Sequence, residues 1–188
     1  MTRFATFALA VAVPVLWLTA TEQGTSGVKK LGGPVKMPGP TKAICIIQSL
    51  SGSNVGGVVY FTQTGDMVQV KGKITGLTPG LHGFHVHEFG DLSSKDGLST
   101  GGHFNPEGDP HGAREAHKRH VGDLGNVKAD ESGKAVIDLD DDQLSFEGPN
   151  CILGRGLVVH EKADDLKTDP AGNAGGRLAV AIIGVARP

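Results

Sequence analysis

Apolar residues recur along this chain in short runs rather than at the three-to-four-residue spacing of a helix. "KAICIIQ" (42–48), "GGVVYFTQ" (56–63) and "MVQVKGKIT" (67–75) are β-branched runs separated by turns rich in Gly, Ser and Asn. Val68 and Val70, and less regularly Ile74, alternate with Gln69, Lys71 and Lys73, which predicts a strand with one wet face. "LHGFHVHEF" (81–89) alternates again. "KAVIDLD" (134–140), "GLVVHEK" (156–162) and "LAVAIIGVA" (178–186) continue the series, the last two apolar enough for a central place. No segment carries a convincing helical period; "PHGAREAHKRH" (110–120) comes nearest, and its apolar face is too thin. Many short strands joined by glycine turns predict an all-β antiparallel sandwich or barrel. Two long stretches, about 90–123 and 161–176, lack a strand pattern, and long irregular loops in a compact domain are usually functional.

Composition supports that reading. Twenty-nine glycines and ten prolines stand against one Trp and one Tyr in 188 residues, without collagen period or low complexity. The length suits one ordinary domain plus an extension. A formal charge of −2, with both signs mixed along the chain, leaves no footprint for nucleic acid or an anionic membrane surface. Residues 1–20, "MTRFATFALAVAVPVLWLTA", join Arg3 to an apolar stretch from Phe4 to Ala20, the layout of an export signal. The stretch is short for a membrane span and contains Pro14, so a cleaved signal is expected over an uncleaved anchor, although Leu18 and Ala20 fit the cleavage pattern imperfectly. Residues 21–40, rich in Gly, Pro and Lys, read as a flexible tether to a folded domain at 41–188. The expected location is outside the cytoplasm, periplasmic or extracellular, with a membrane tether only if the leader stays attached. Cys45 and Cys151 are the only cysteines, and an exported domain would be expected to pair them.

The chemistry lies in the histidines. On a strand His85 and His87 face the same way, about 6 to 7 Å apart, and can converge on one ion. The pair alone is a weak signal, because eight histidines in a chain of this length give roughly 0.3 such pairs by chance. "HFNPEGDPHGAREAHKRHVGD" (103–123) adds context: His103, His111, His120 and Asp123 supply three imidazoles and a carboxylate, a closed tetrahedral set suited to Zn²⁺. The alternative is a solvated polar loop. His160 lies on an apolar strand, where a lone histidine is more often a satisfied core residue than a ligand. With His85 and His87 it completes a nitrogen-only site suited to copper. Asp164 is a candidate acceptor for a ligand's second ring nitrogen.

"GFHVHEFGD", "GGHFNP", "RHVGDLGNV", "LVVHEKADDL" and "GNAGGRLA" resemble, in order and near the right spacing, the signature segments of Cu/Zn superoxide dismutases. The resemblance runs from about Thr41 to the C-terminus and implies an eight-stranded antiparallel Greek-key β-barrel with two long functional loops. It puts copper on His85, His87, His103 and His160, and zinc on His103, His111, His120 and Asp123, with His103 as a bridging imidazolate. Asp164 corresponds to the carboxylate linking a copper-ligand histidine to a zinc-ligand one, Arg177 to the arginine that binds the superoxide anion, and His82 to a structural histidine. His117 is left as a surface residue. The implied reaction is dismutation of superoxide by copper redox cycling, with His103 carrying a proton. A homodimer is implied too, with Phe89, Gly90, Leu153, Gly154 and Val185 near the family's interface.

Three departures bear on that expectation. The segment after Asp164, "DLKTDPAGNAGG", is shorter than in the common cytosolic eukaryotic form, leaving Lys162, Lys167 and Arg177 as the expected steering cations. Ala171 stands where a threonine is usual near the copper channel. The positions of the family's disulfide fall on Gly97 or Leu98 and on Val180, so that bond is expected to be missing and Cys45 and Cys151 to stay free. Two other readings compete: a copper or zinc carrier or buffer on the same barrel, and a dinuclear zinc hydrolase. The retained ligands and Arg177 count against the first; a bridging histidine in place of a carboxylate or water counts against the second.

Overall fold

The computed structural model describes residues 39–188 apart from Ser51. The expected export signal at 1–20, and the tether as far as residue 38, lie outside the described residues.

Nine strands follow in chain order: β1 Lys42–Ser49, β2 Gly56–Thr64, β3 Met67–Thr75, β4 Gly80–His87, β5 Asp123–Ala129, β6 Ala135–Asp141, β7 Gly156–His160, β8 Arg177–Ile182 and β9 Gly184–Val185. Each pairs antiparallel with its neighbours in the order β1-β2-β3-β6-β5-β4-β7-β8, and β8 returns to β1 through Gln48 opposite Val180. The result is a closed eight-stranded barrel, with β9 a two-residue continuation of β8 against Ala43 and Ile44. The connections from β3 to β4 and from β6 to β7 each pass over two strands, which makes the topology a Greek key.

Alternation explains the interior. Val68, Val70 and Ile74 are fully buried while Lys71 and Lys73 are exposed, and Gly72 takes the fourth inward position of β3. Phe61, Phe84, Val86, Leu157 and Ile183 fill the same core, and burying a side chain of this size contributes about 1.5–3 kcal/mol.

β5 is the strand that hydropathy alone does not reveal. Its register against β4 slips between Gly83 and His85, where three steps of β5 oppose two of β4, and Gly125 takes φ 74°. This bulge breaks the two-residue period. Leu124 and Val127, three apart, both enter the core, while the Asp123 carboxylate and the Asn126 amide both reach residues of the two long loops.

Those loops run from the end of β4 to β5 and from β7 to β8. The only helical turn among the described residues is a 3-10 turn, Leu98–Thr100, in the first.

Both cysteines are free. Cys45 points into the core opposite Val59, and the Cys151 thiol, half-buried, donates to Phe146 O at 3.2 Å. Gly97 and Val180 are neighbours all the same: a Cβ built on Gly97 would stand 3.1 Å from Val180 Cγ1. The first loop therefore reaches β8 where the resemblance puts a disulfide, without a covalent bond. A melt of the metal-loaded protein should keep its midpoint in a phosphine reductant. A drop of several degrees, or a Cys45–Cys151 bridge in mass spectrometry, would show a covalent link the fold does not contain.

Candidate metal centre

The barrel interior is apolar, so polar chemistry has to sit outside it. Phe84 and Val86 of β4 face the core, which turns His85 and His87 outward beneath the two long loops. His160 ends β7 beside them, and His103 forms an isolated bridge with His87. Gly83 leaves the space these rings occupy: a Cβ there would lie 3.0 Å from the His85 ring and 3.4 Å from His160 Cβ. His111 and His120 come from the first loop, and Asp123 opens β5. Two buried groups result, His85–His87–His103–His160 and His103–His111–His120–Asp123, each with its ligand atoms within 4.8 Å of one another and with His103 in both.

Hydrogen bonds on the far nitrogens fix what each ring presents. His87 Nδ1 donates to Gly101 O at 2.9 Å and His160 Nδ1 to Gly175 O at 3.3 Å. Their Nε2 atoms then face each other at 3.3 Å. Two lone pairs at that distance repel unless a cation lies between them. His85 Nε2 donates to Asp164 Oδ2 at 2.8 Å, which leaves its Nδ1 buried with no partner, and His103 Nε2 is equally orphaned. Neutral imidazoles are what a metal requires. Burial pushes all four downward, His103 to about 4 and His160 to about 3.

In the second group the Nδ1 atoms of His103, His111 and His120 lie 2.8, 3.0 and 3.2 Å from Asp123 Oδ1, and those of His103 and His120 lie 3.4 Å apart. A tetrahedral Zn²⁺ with bonds near 2.0–2.1 Å has edges of about 3.3–3.4 Å, so the set needs little adjustment to hold one. Asp123 Oδ2 accepts the backbone N–H groups of Gly112 and His120, both at 3.0 Å, which aims Oδ1 at the ion position. Burial alone would raise the Asp123 carboxyl, but the three imidazoles hold it far below the usual carboxylate range. Burial would likewise lower His111, yet the Asp123 carboxylate beside Nδ1 and the Asp164 carboxylate on Nε2 raise it to about 10.

Asp164 joins the groups, with Oδ2 on His85 Nε2 and Oδ1 on His111 Nε2, both 2.8 Å. Asn126 of β5 anchors it, accepting from Asp164 N at 2.8 Å and donating to Asp164 O at 2.9 Å. Gly172 presses on the same carboxylate from the second loop, and its φ of 58° favours glycine.

Arg119 is fully buried beneath the first loop. It pairs with Asp141 Oδ2 at 2.6 Å and donates to the carbonyls of Arg114, His120, Val121 and Asp123. Sequence reasoning passed over Arg119, Asn126 and Gly172, since nothing in their spacing marks them as partners of a metal loop.

Beside the first group opens a cleft of ≈ 810 Å³, with His87, His103 and His160 among its lining and Leu50, Leu98, Pro170 and Ala171 as apolar walls. Arg177 lines it as well. Its Nη1 donates to Gly97 O and to Thr100 Oγ1 (2.7 Å), and its Nη2 to Gly101 O (2.6 Å). Of the expected steering cations Arg177 lines the cleft and Lys162 and Lys167 do not, while Lys95 and Asp96, which no sequence spacing marks, line it together. The shortened loop turns Lys162 along Gly175, with its methylenes against that glycine, and leaves Lys167 exposed in the turn headed by Asp165. His117 is exposed, as expected. His82 is buried, with Nδ1 donating to His160 O at 2.9 Å and Nε2 beside Thr78, which fits a structural role.

Residues 55–183 match the family described as copper/zinc superoxide dismutase (SODC). The chain is also similar to the crystal structure of the clock protein EA4, with 49% identity over 81% of this chain and 99% of that one and a TM-score of 0.75.

Two outcomes follow from the geometry. In Gly172→Ala the new methyl would occupy the place of Asp164 Oδ1 and lie 2.7 Å from His111 Nε2. Zinc affinity, read by chelator competition, should fall by about 10–100-fold, the usual cost of losing a ligand's outer partner; an unchanged affinity would remove Asp164 from the zinc site. The second concerns protons. A folded-state value near 10 keeps metal-free His111 protonated at neutral pH, so Zn²⁺ has to displace that proton. Calorimetry at pH 7 in buffers of different ionisation enthalpy should read release of about one proton per Zn²⁺, with affinity falling as pH drops. No release would mean that His111 binds no proton between its two carboxylates.

Proposed function

The chain belongs to the copper/zinc superoxide dismutase family, and on that premise we propose that it is itself a superoxide dismutase. Two superoxide anions and two protons become one dioxygen and one hydrogen peroxide, one superoxide losing the electron that the other gains. The observation that carries this reading is His103, whose two ring nitrogens face different ligand groups, with Arg177 in the open cleft alongside. His85, His87, His103 and His160 would hold copper, and His103, His111, His120 and Asp123 would hold zinc. Copper supplies the one-electron couple when bound, and zinc, which has no redox chemistry, supplies fixed charge and order in the loop.

The chain's own residues do the rest. Arg177 binds the anion with the N–H groups left over from its three acceptors, a charge that does not titrate at working pH. His103 takes up a proton at Nε2 and gives it back, while its Nδ1 stays directed at the second group. Asp164 keeps His85 and His111 in the orientation that aims each Nδ1 inward. Lys95 and Arg177 against the single carboxylate of Asp96 leave the cleft with net positive charge, which raises the encounter rate of a small anion.

The likeness to a protein named for a clock keeps open a non-catalytic role, such as metal buffering. A carrier, however, has no use for a fixed cation facing the open side of its copper ligands, and Arg177 is such a cation. The same proposal includes export directed by residues 1–20. It also includes a homodimer: Phe89 (56% exposed), Ile182 (45%) and Val185 (63%) are exposed apolar side chains, and Ile182 lies beside Gly90 where it meets Gly154.

Metal analysis with a superoxide-consumption assay on the full chain tests the reading; one copper and one zinc per chain with rapid consumption is expected. His87→Ala should lose copper and turnover and keep zinc, since His87 belongs to one group only. Full activity in that variant would overturn the site assignment.

A further inference from the structure

Among the described residues Thr100 carries the only buried hydroxyl, and it belongs to neither histidine group. It closes the 3-10 turn Leu98–Thr100. Its Oγ1 donates to Gly97 O at 3.0 Å, accepts from Arg177 Nη1 at 2.7 Å, and lies 3.4 Å from His87 Nδ1. Its methyl packs on β7 at Gly156, where a Cβ would come within 3.2 Å of both Thr100 Cβ and Cγ2. Gly156 is the residue opposite His87 in the β4–β7 ladder. The side chain is therefore wedged in one orientation, with its hydrogen and a lone pair both committed.

We propose that Thr100 is a positioning residue for the anion-binding arginine, selecting which guanidinium donors face the cleft. A guanidinium has five N–H groups. Thr100 Oγ1 and Gly97 O take both hydrogens of Nη1, and Gly101 O takes one of Nη2. The Nε–H and the second Nη2–H are left for an anion. Without the hydroxyl one Nη1–H loses its acceptor beside the buried Thr100, in a half-buried place, which carries a cost. The guanidinium then turns to recover a partner and spends a donor meant for the anion. Gly101 O also accepts from His87 Nδ1, which keeps that carbonyl in place while the guanidinium turns, so the anion site changes and the histidine does not.

The inference rests on the reading of Arg177 given above, and the test separates the two. Azide is the anion probe, titrated into the full chain loaded with copper and zinc and followed by Cu(II) absorption. Thr100→Val keeps the shape and removes the hydroxyl; it should weaken azide about tenfold, the scale of one hydrogen bond to a charged group. Thr100→Ser should bind like the wild type, and the copper resonance spectrum of azide-free Thr100→Val should match the wild type. In an Arg177→Ala background Thr100→Val should have no further effect, because the hydroxyl acts through the arginine. If Arg177→Ala weakens azide and Thr100→Val leaves it within twofold, the positioning role falls and the arginine's role stands. If Arg177→Ala itself leaves azide binding unchanged, the reading of Arg177 falls first. Should Thr100→Val not fold, nitrogen NMR of the zinc-loaded wild type decides the matter. Resolved, slowly exchanging Nη1 protons on Arg177 are expected, and free averaging of the guanidinium would overturn the proposal.

Discussion

Two oxygens of one buried carboxylate set the spacing of the whole centre. Asp164 reaches His85 on the barrel wall with one oxygen and His111 in the first loop with the other, so neither group keeps its geometry without it. It comes from the second loop, yet its backbone is held on both its N–H and its C=O by Asn126 of β5. The loop thus borrows rigidity from a strand. An unpaired buried charge costs several kcal/mol, commonly about 3–5 when one partner of a pair is removed. The arrangement is accordingly stable as a complete set and poor as a partial one. Arg119 plays the matching part under the first loop, drawing four carbonyls and Asp141 around one buried cation.

The closed barrel accounts for where this chemistry sits. Its interior is packed with Val, Ile, Leu and Phe, which leaves no room for hydrated ions. Its ladder closes through β8 and β1, so there is no open edge to build on. The outer face of β4 and β7 is the remaining rigid surface, and the loops supply a roof. The orphaned nitrogens of His85, His103 and His111 are the polar atoms that such a roof buries at a cost, which an ion at each group removes.

Much of this was legible in the sequence where a local period carried the message. Seven runs alternate or stay apolar, and each became a strand; His85 and His87 share a face because two-residue periodicity requires it. β5 was illegible by hydropathy because the bulge at Gly125 moves Leu124 and Val127 to one side and Asp123 and Asn126 to the other. Its existence came from the resemblance alone. The two ligand groups could be assembled from the residues themselves, whereas the sharing of His103 between them came from the resemblance, since no local period puts one histidine in both. Asn126, Arg119, Gly172 and Lys95 were missed for another reason. Each acts on a residue distant in sequence or on a cleft that exists only once two loops have folded, and no spacing encodes that.

Arg177 connects function to stability in a way the sequence hints at through its missing cysteines. The first loop has no covalent tie to β8, and its tip is instead held by packing of Gly97 on Val180 and by Arg177's contacts with Gly97, Thr100 and Gly101. Hydrogen bonds to a charged group contribute about 1.5–3 kcal/mol each, and a disulfide typically about 2–4, so even partial credit for these contacts reaches the same scale. The difference lies in what else the tie controls. A disulfide would hold the loop whatever the arginine did. Here the group that faces the open cleft is also the clamp, so loosening the loop frees the arginine and losing the arginine loosens the loop. Loop order and the presentation of the guanidinium to the cleft are then two readouts of one interaction rather than two properties that can be tuned apart.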